Sequence, residues 1–318
     1  MDRVGLGRDD LMRDEPYVNA AAFRRGANAR MREVAKQQGR PIAEVNREFV
    51  LQRFLARIFR EPDSPWVLKG GTGLLVRLPQ ARHSDDIDLL YPTDTINLAL
   101  PLADLEAALR QPYVGDFLRF EIGRVEARSV TGAEKAVATV RVAALFGAAE
   151  YTRFPIDLSV KRRPLTKVDL VQPRPVVHVP GVPELPVFAL YPLADQIADK
   201  VCAMYELHRD GIASTRYHDL VDLVLIVTGS STIDAAATCD ALNAEARHRR
   251  LRLPVAMVSP GDQWAPGYQA EARRTGLASE LHQLHFALSV VDSCLGPLLR
   301  GSVPTGRWDP ASRRWDAE

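Results

Sequence analysis

The segment "KGGTGLLVRLPQARHSDDIDLLYP", residues 69–92, carries the strongest structural signal in this chain. A strand-like "WVLK" leads into the glycine pair Gly70–Gly71, and a helix-like apolar run follows. Asp86 and Asp88 then alternate with apolar residues, a pattern typical of a β-strand that ends at the Tyr-Pro pair. At the ordinary rise of a strand, these two aspartates lie roughly 6.6 Å apart on one face.

Two carboxylates this close repel each other, by about 4 kcal/mol at about 4 Å and an effective dielectric constant near 20. A positive charge is therefore expected between them. A divalent cation is the first candidate, because Mg²⁺ prefers oxygen ligands and is commonly held by one or two carboxylates plus substrate phosphates. The glycine pair alone is typical of a simple tight turn. A Gly-rich turn that opens a helix can also bind phosphate, and with the paired carboxylates it makes the minimal set for nucleotidyl transfer.

The composition is that of a globular protein and indicates no partner by itself. The 318 residues are 46% hydrophobic and 25% charged, with a formal net charge of +1. The three cysteines lack metal-ligand spacing, which favours free thiols in a reducing compartment. No apolar run reaches membrane-spanning length, and the charged N-terminal sequence does not resemble a signal peptide, so a cytoplasmic protein is expected.

The hydrophobic pattern predicts an α/β fold in which a mixed α/β core precedes a helical half. Residues 1–188 are predicted to hold N-terminal helices and the α/β core, and residues 189–303 a helical domain. Residues 304–318 are predicted to form a flexible tail. Strands are predicted in "FLRFEIGRVEARSV", "KAVATVRVAALFGA" and "TRFPIDLSVKR".

Asp157 interrupts an otherwise apolar strand pattern in "FPIDLSV". An edge-strand aspartate is one interpretation. The interpretation favoured here makes it a third carboxylate, which would help to hold the metal that activates an attacking hydroxyl.

Lys200 lies in the middle of the apolar stripe of its predicted helix, at roughly −20° from Leu193 on a helical wheel. A lysine in this position either extends its ammonium group to solvent or meets an anion in a cleft. The cleft is favoured, and a triphosphate is a suitable anion.

Downstream, "STRYHDLVDL" places Asp219 and Asp222 on one helical face, with Arg216 just ahead. Helix capping and a surface ion pair would explain Asp219. Apolar neighbours surround Asp222, so its carboxylate requires a partner such as Lys200 or Arg216.

The basic segment "RHRRLR", residues 247–252, is interpreted as a solvated helix end that, with Lys161, Arg162 and Arg163, could also follow a nucleic-acid backbone. His83 and His218 stand beside aspartates but show no metal-ligand spacing, and structural roles are favoured for both.

Taken together, "WVLKGGTGLLVRL", "ARHSDDIDL", the lysine-bearing helix and "RYHDLVDL" resemble the AbiEii toxin family of nucleotidyltransferases, which includes the MenT-type toxins. The resemblance covers most of the chain, including "EVNREFVLQRFLARIF" and "PGDQW". It implies a DNA polymerase β-type nucleotidyltransferase fold, a mixed sheet followed by a helical C-terminal half.

The resemblance also implies roles for single residues. Gly70, Gly71 and Thr72 match the turn on the phosphate side, and Ser84 matches the serine before the carboxylates. Asp86 and Asp88 match the metal ligands, Lys200 the lysine that meets the triphosphate, and Asp222 the later acidic residue, with Asp219 as its close alternative. Asp157 matches the third strand by position, and Arg216 is expected to help bind the nucleotide.

Toxins of this family are similar in using a nucleoside triphosphate (NTP) and Mg²⁺ to add nucleotides to the 3′ end of tRNA, which blocks aminoacylation. A cognate antitoxin restrains them. The resemblance therefore implies these substrates, this metal and this partner. A phosphate on Ser84 would add negative charge beside two carboxylates and oppose metal–nucleotide binding, so Ser84 is a candidate for regulation.

Three other functions remain open from the sequence. The acceptor could be a protein or a small molecule, in which case salt would affect activity little and tRNA would not be retained. A non-catalytic scaffold would keep the fold but not bind Mg²⁺–NTP. A hydrolase that uses an Asp-x-Asp loop is disfavoured by the upstream glycine turn.

Overall fold

A computed structural model describes residues 17–94, 96–111, 113, 115–128, 135–161, 167–207, 211–229, 233–302 and 306–316. The chain forms two compact units that alternate along the sequence. The first unit comprises Met1–Trp66, Thr95–Lys161 and Gln172–Phe188, and the second comprises Val67–Asp94, Arg162–Val171 and Ala189–Glu318.

The described α-helices are α1 (Ala20–Gln38), α2 (Ile42–Ile58), α3 (Gly70–Arg77), α4 (Ala99–Arg110), α5 (Leu193–Tyr205), α6 (Tyr217–Thr228), α7 (Ala235–His248), α8 (Trp264–Ala272) and α9 (Leu284–Leu299). The described strands are β1 (Val67–Lys69), β2 (Ile87–Pro92), β3 (Leu118–Arg128), β4 (Lys135–Phe146), β5 (Ala149–Lys161), β6 (Asp169–Val171), β7 (Phe188–Leu190), β8 (Ile233–Asp234), β9 (Arg307–Asp309) and β10 (Arg314–Asp316).

The first unit is built on the antiparallel strands β3, β4 and β5, in that order. These are the three strands predicted from alternating apolar residues. Phe54 of α2 packs edge-to-face against Phe120 and Phe154, which lie on β3 and β5. Aromatic packing of this kind holds α2 against the sheet of this unit.

The second unit contains a mixed sheet, which confirms the predicted α/β class. Its strand order is β2-β1-β7-β6. β1 pairs antiparallel with β2 and parallel with β7, and Lys69 lies opposite Asp88 in this register. The register brings the end of β1, where the glycine turn begins, directly beside Asp88 of β2.

The helices of the second unit share one apolar core with α3. Leu74 of α3 and Leu78, which directly follows this helix, are fully buried in the same cluster as Ile197 of α5 and Val224 of α6. This packing explains why residues 67–94 belong with the helical residues, whereas the sequence pattern placed a single boundary after residue 188.

The C-terminal residues also differ from the predicted flexible tail. β9 and β10 form a hairpin, and the indole N–H groups of Trp308 and Trp315 donate to the backbone carbonyls of Val227 and Cys294. Trp308 is only 2% exposed. Burial of Trp308 and partial burial of Trp315 hold this hairpin in place, while 303–305 and 317–318 lie outside the described part of the chain.

None of the described helices combines the length and apolar character needed to cross a bilayer.

Candidate active site

The Gly70–Gly71 turn, which follows β1 and opens α3, approaches two side chains too closely for a Cβ to fit without displacing them. Gly70 has φ +67°, and a Cβ there would lie 1.8 Å from Oδ2 of Asp88. A Cβ on Gly71 would lie 2.8 Å from Oγ of Ser84. The turn is therefore packed against the aspartate segment and leaves the N-terminal end of α3 beside it.

Asp86 and Asp88 flank the start of β2 and are both half-buried. β2 begins at Ile87, so Asp86 immediately precedes the strand instead of lying inside it as predicted. Oδ1 of Asp86 accepts a hydrogen bond from Oγ of the buried Ser84 at 2.8 Å, and its carbonyl accepts one from Thr72 at 2.6 Å. Thr72 and Ser84 thus fix the position of Asp86.

Gly70→Ala is expected to destabilise the fold by about 1–3 kcal/mol and to lower the transfer rate about a hundredfold, because the added Cβ must displace the Asp88 carboxylate. Gly39→Ala is the matched control: Gly39 has φ +64° but no atom within 4 Å of the new Cβ. Thermal unfolding and nucleotidyl transfer would be measured for both. Equal loss of activity in the two variants would contradict a special role of the turn.

Lys200, on α5, forms a buried ionic triad with two aspartates of α6. Its Nζ donates to Oδ1 of Asp219 at 3.1 Å and to Oδ2 of Asp222 at 2.6 Å. Both aspartates are fully buried, and Lys200 is 7% exposed. The ammonium group therefore lies among buried carboxylates and binds both Asp219 and Asp222. Which of the two is the late acidic residue of the site stays a prediction.

The pKa values of Lys200 and Asp219 favour the charged form of both groups. Burial lowers the pKa of Lys200, but the charges and hydrogen bonds of Asp222 and Asp219 outweigh burial and raise it above its usual value. Burial raises the pKa of Asp219, yet Lys200 and Arg216 outweigh burial and hold that pKa below its usual value. Lys200 and Asp219 are thus charged near neutral pH.

Two guanidinium groups extend this network toward the surface. Arg82 donates from Nε to Oδ1 of Asp222 at 3.0 Å and from Nη2 to Oδ2 at 3.3 Å. Arg216 donates from Nε to Oδ2 of Asp219. The side chain of Arg82 is 29% exposed and that of Arg216 is 51% exposed. Both cations are therefore anchored on buried carboxylates and remain accessible.

Arg82 was not identified from the sequence, although it stands two residues before Ser84 in the decisive segment. A Cβ on Gly71 would lie 3.4 Å from Nη2 of Arg82, so this guanidinium lies against the glycine turn. Burial lowers the pKa of Arg216, but the carboxylate of Asp219 outweighs burial and raises it. The charge of Asp88 also contributes to the raised pKa. Arg82 and Arg216 thus belong to the same site as the turn and Asp88.

The charges of the site suit a metal-bound polyphosphate. The network around the triad has three cations, Lys200, Arg82 and Arg216, and two anions, Asp219 and Asp222. Burial and these three cations lower the pKa of the neighbouring His218, although the charge of Asp219 opposes them. Within the described residues, no three His, Cys, Asp or Glu side chains are arranged as a metal site. The oxygens of Asp86 and Asp88 nevertheless fit Mg²⁺, which takes only one or two carboxylates when phosphates complete its coordination.

Asp157 lies in the first unit, on β5, and is half-buried between two fully buried neighbours. It pairs with Thr139 of β4, whose Oγ1 donates to Oδ1 of Asp157 at 2.8 Å. Its role as a third metal ligand stays a prediction.

The basic residues are in part engaged in ion pairs. Arg249, within the 247–252 segment, contacts Glu245 at 2.6 Å, Glu206 at 2.8 Å and Asp199 at 3.4 Å. Arg162 and Arg163 lie outside the described residues. The ion pairs of Arg249 support a structural role for its part of the segment.

Comparisons with known proteins give a family match over most of the chain. The model of the AbiEii family, described as a nucleotidyl transferase toxin of type IV toxin–antitoxin systems, matches residues 53–289. Among solved structures, the chain is similar to MenT4, a nucleotidyltransferase toxin from Mycobacterium tuberculosis, with 16% identity, a TM-score of 0.48 and coverage of 94% of this chain and 100% of that one. It is also similar to JHP933 from Helicobacter pylori, with 16% identity, a TM-score of 0.44 and coverage of 82% and 93%, respectively. No curated protein sequence matched.

Proposed function

The chain belongs to the AbiEii family of nucleotidyl transferase toxins of type IV toxin–antitoxin systems, and from this premise we propose that it transfers a nucleoside monophosphate from an NTP to the 3′ end of tRNA. It is a nucleotidyltransferase and the toxin of its system, so it has an NTP substrate and a cognate antitoxin. The tRNA acceptor, the dependence on Mg²⁺ and a cytoplasmic site of action are proposed. The transfer would block aminoacylation and hence translation.

The observation that carries the nucleotidyl-transfer chemistry is the close packing of the glycine turn on Asp88, with Arg82 against the same turn. This packing supports the proposal because it joins a turn suited to phosphate, a carboxylate suited to Mg²⁺ and an accessible cation. Such a combination serves phosphoryl and nucleotidyl transfer, in which catalysis consists mainly of positioning and charge stabilisation.

In the proposed reaction, the 3′ oxygen of the acceptor forms a bond to the α-phosphorus, the bond to the β-phosphate oxygen breaks, and pyrophosphate leaves. Asp86 and Asp88 would hold Mg²⁺, and the metal would lower the pKa of the attacking hydroxyl and neutralise charge on the phosphates. Ser84 and Thr72 keep Asp86 in position.

The triphosphate is proposed to bind at the Gly70–Gly71 turn through Arg82 and Arg216. Lys200 was expected to meet the triphosphate itself, but two of its hydrogen bonds go to Asp219 and Asp222. Because these carboxylates hold Arg216 and Arg82, we assign Lys200 mainly to positioning the two guanidinium groups.

Arg82→Met is expected to lower kcat/KM for the NTP by about 10–100-fold, mostly through KM, because a charge-assisted hydrogen bond to phosphate is lost. Arg274→Met is the matched control: its side chain is 73% exposed and pairs only with Glu271 in the described structure. Steady-state kinetics at varied NTP would separate the effects. An unchanged KM in Arg82→Met would contradict the assignment.

The function is tested by transfer of label from each NTP, labelled on its α-phosphate, to total tRNA in the presence of Mg²⁺. Label at the RNA 3′ end, absent in an Asp86→Asn variant, would support the proposal and identify the donor. Measurable Mg²⁺–NTP binding without labelled RNA would favour a protein or small-molecule acceptor. Absence of Mg²⁺–NTP binding would favour a non-catalytic scaffold.

Ser84 is proposed as a control point of the same site. Its hydroxyl donates to Asp86, and a phosphate there would replace this hydrogen bond by repulsion between anions. Ser84 is only 3% exposed, so its modification would require the segment around it to open.

A further inference from the structure

The first unit contains a cavity of about 350 Å³ that is separate from the residues assigned above. Its volume lies within the range of about 300–1,000 Å³ that is common for small-molecule sites. Residues of α2 form one wall, and the Pro-rich segment 172–185 forms the other. The lining includes Phe49, Gln52, Arg53, Arg174, Val177, His178, Val179, Val182, Glu184 and Leu185.

Hydrogen bonds from α2 hold the Pro-rich segment in place. The side-chain amide of Gln52 donates to the carbonyl of Arg174 at 2.9 Å and accepts from the backbone N–H of Val176 at 2.9 Å. Nη1 of Arg53 donates to the carbonyl of Pro183 at 3.1 Å. The cavity is therefore preformed: both ends of its outer wall are tied to one helix.

Beneath the cavity lies a buried excess of positive charge. Arg53 and Arg57 share the single carboxylate of Asp116, with N–O distances of 2.9 Å and 2.7 Å. The three side chains are 4%, 2% and 0% exposed. Two buried cations on one buried anion leave one charge uncompensated, which is costly in a protein interior.

Arg53 connects this excess charge to the cavity that it lines. Within the described residues, its Nη2 has no hydrogen-bond partner. The ring of Tyr113 lies over the guanidinium groups of Arg53 and Arg57, at 4.9 Å and 4.8 Å, and offsets only part of a full charge.

The cavity has charged side chains at its rim and apolar side chains in its walls. The exposed charged side chains at the rim, Arg174 and Glu184, offset each other, and His178 adds no negative charge, so the rim supplies no net anion for the excess charge below. The walls include a set of apolar side chains, among them Phe49 and Val179, which are each 2% exposed. We propose that this cavity binds a small organic anion, whose carboxylate or phosphate head lies toward Arg53 and whose apolar body packs against Phe49 and Val179.

This site is independent of nucleotidyl transfer, and its test needs no activity. Calorimetric titrations of the full chain would use phenyl phosphate, phenylacetate and the neutral benzyl alcohol as probes. At least one anion is expected to bind saturably with a Kd of about 1 mM or tighter, and benzyl alcohol at least about tenfold more weakly. The stronger anion identifies the head group.

Variants assign the binding to this cavity. Val182→Phe, which fills the cavity, is expected to weaken anion binding at least about tenfold, and Arg174→Gln, which removes a rim charge, about 2–5-fold. Arg110→Gln, at an exposed arginine of α4 in the same unit, is the matched control and should leave binding unchanged. Val182→Phe and Arg174→Gln leave Arg53 and its hydrogen bonds in place, so we expect both variants to fold.

Three results would overturn the proposal. One is the absence of saturable anion binding up to about 10 mM. Another is equal affinity for benzyl alcohol, which would make the cavity a simple apolar void. The third is anion binding that survives Val182→Phe, which would assign the ligand to another part of the chain.

Discussion

Asparagine in place of Asp86 is expected to lower the rate of nucleotidyl transfer at least about a thousandfold without unfolding the protein. The substitution removes one of two carboxylates that are available to Mg²⁺ beside the glycine turn. The amide oxygen of asparagine can still accept the hydrogen bond that Ser84 donates to Oδ1 of Asp86. The lower transfer rate would therefore result from the lost negative charge and weaker metal binding, while the local structure stays in place.

Asp85→Asn provides an internal control, since Asp85 is the adjacent residue, has the same chemistry and is exposed. Its rate should remain within about threefold of the unaltered chain, because exposed charges contribute little through solvent. Transfer rates, thermal unfolding and Mg²⁺–NTP affinity would be compared. Full activity of Asp86→Asn, or equal losses at both positions, would refute the metal assignment.

Methionine in place of Lys200 is expected to destabilise the folded chain by about 3–5 kcal/mol, because it leaves two buried carboxylates without their shared cation. Asp219 and Asp222 would keep only Arg216 and Arg82, which lie partly in solvent. Lys36→Met, at an exposed lysine of α1, is the control and should change stability by less than about 0.5 kcal/mol. Denaturant unfolding at neutral pH measures both, and equal stabilities would refute the triad.

The same variant should change how stability depends on pH. The raised pKa of Lys200 gives a stabilisation that is complete below its usual value of 10.5 and is lost as pH rises through the folded-state pKa. The lowered pKa of Asp219 gives a stabilisation that is present above its usual value of 3.8 and is lost as pH falls through the folded-state pKa. Lys200→Met should therefore reduce the loss of stability on both the alkaline and the acidic side.

Much of the fold and the outline of the site could be predicted from local patterns. Alternating apolar residues identified β3, β4 and β5, and the glycine pair with Asp86 and Asp88 marked the segment where β1, α3 and β2 meet. The helical wheel also placed Lys200 correctly among buried residues. These features depend on backbone periodicity over a few residues, which a sequence displays directly.

The partners of the charged groups depend on packing and were decided only by the tertiary structure. Lys200 was one of two partners expected for the buried Asp222, and the structure selects it. Arg82 reaches the same carboxylate from 140 residues away, and no local pattern links these two. The packing of α3, α5 and α6 into one apolar core brings the three segments together. Sequence by itself thus determined which segments carry the chemistry. Packing of distant helices determined which cations remain accessible to a phosphate, because a buried charge takes whichever partner the core places within reach.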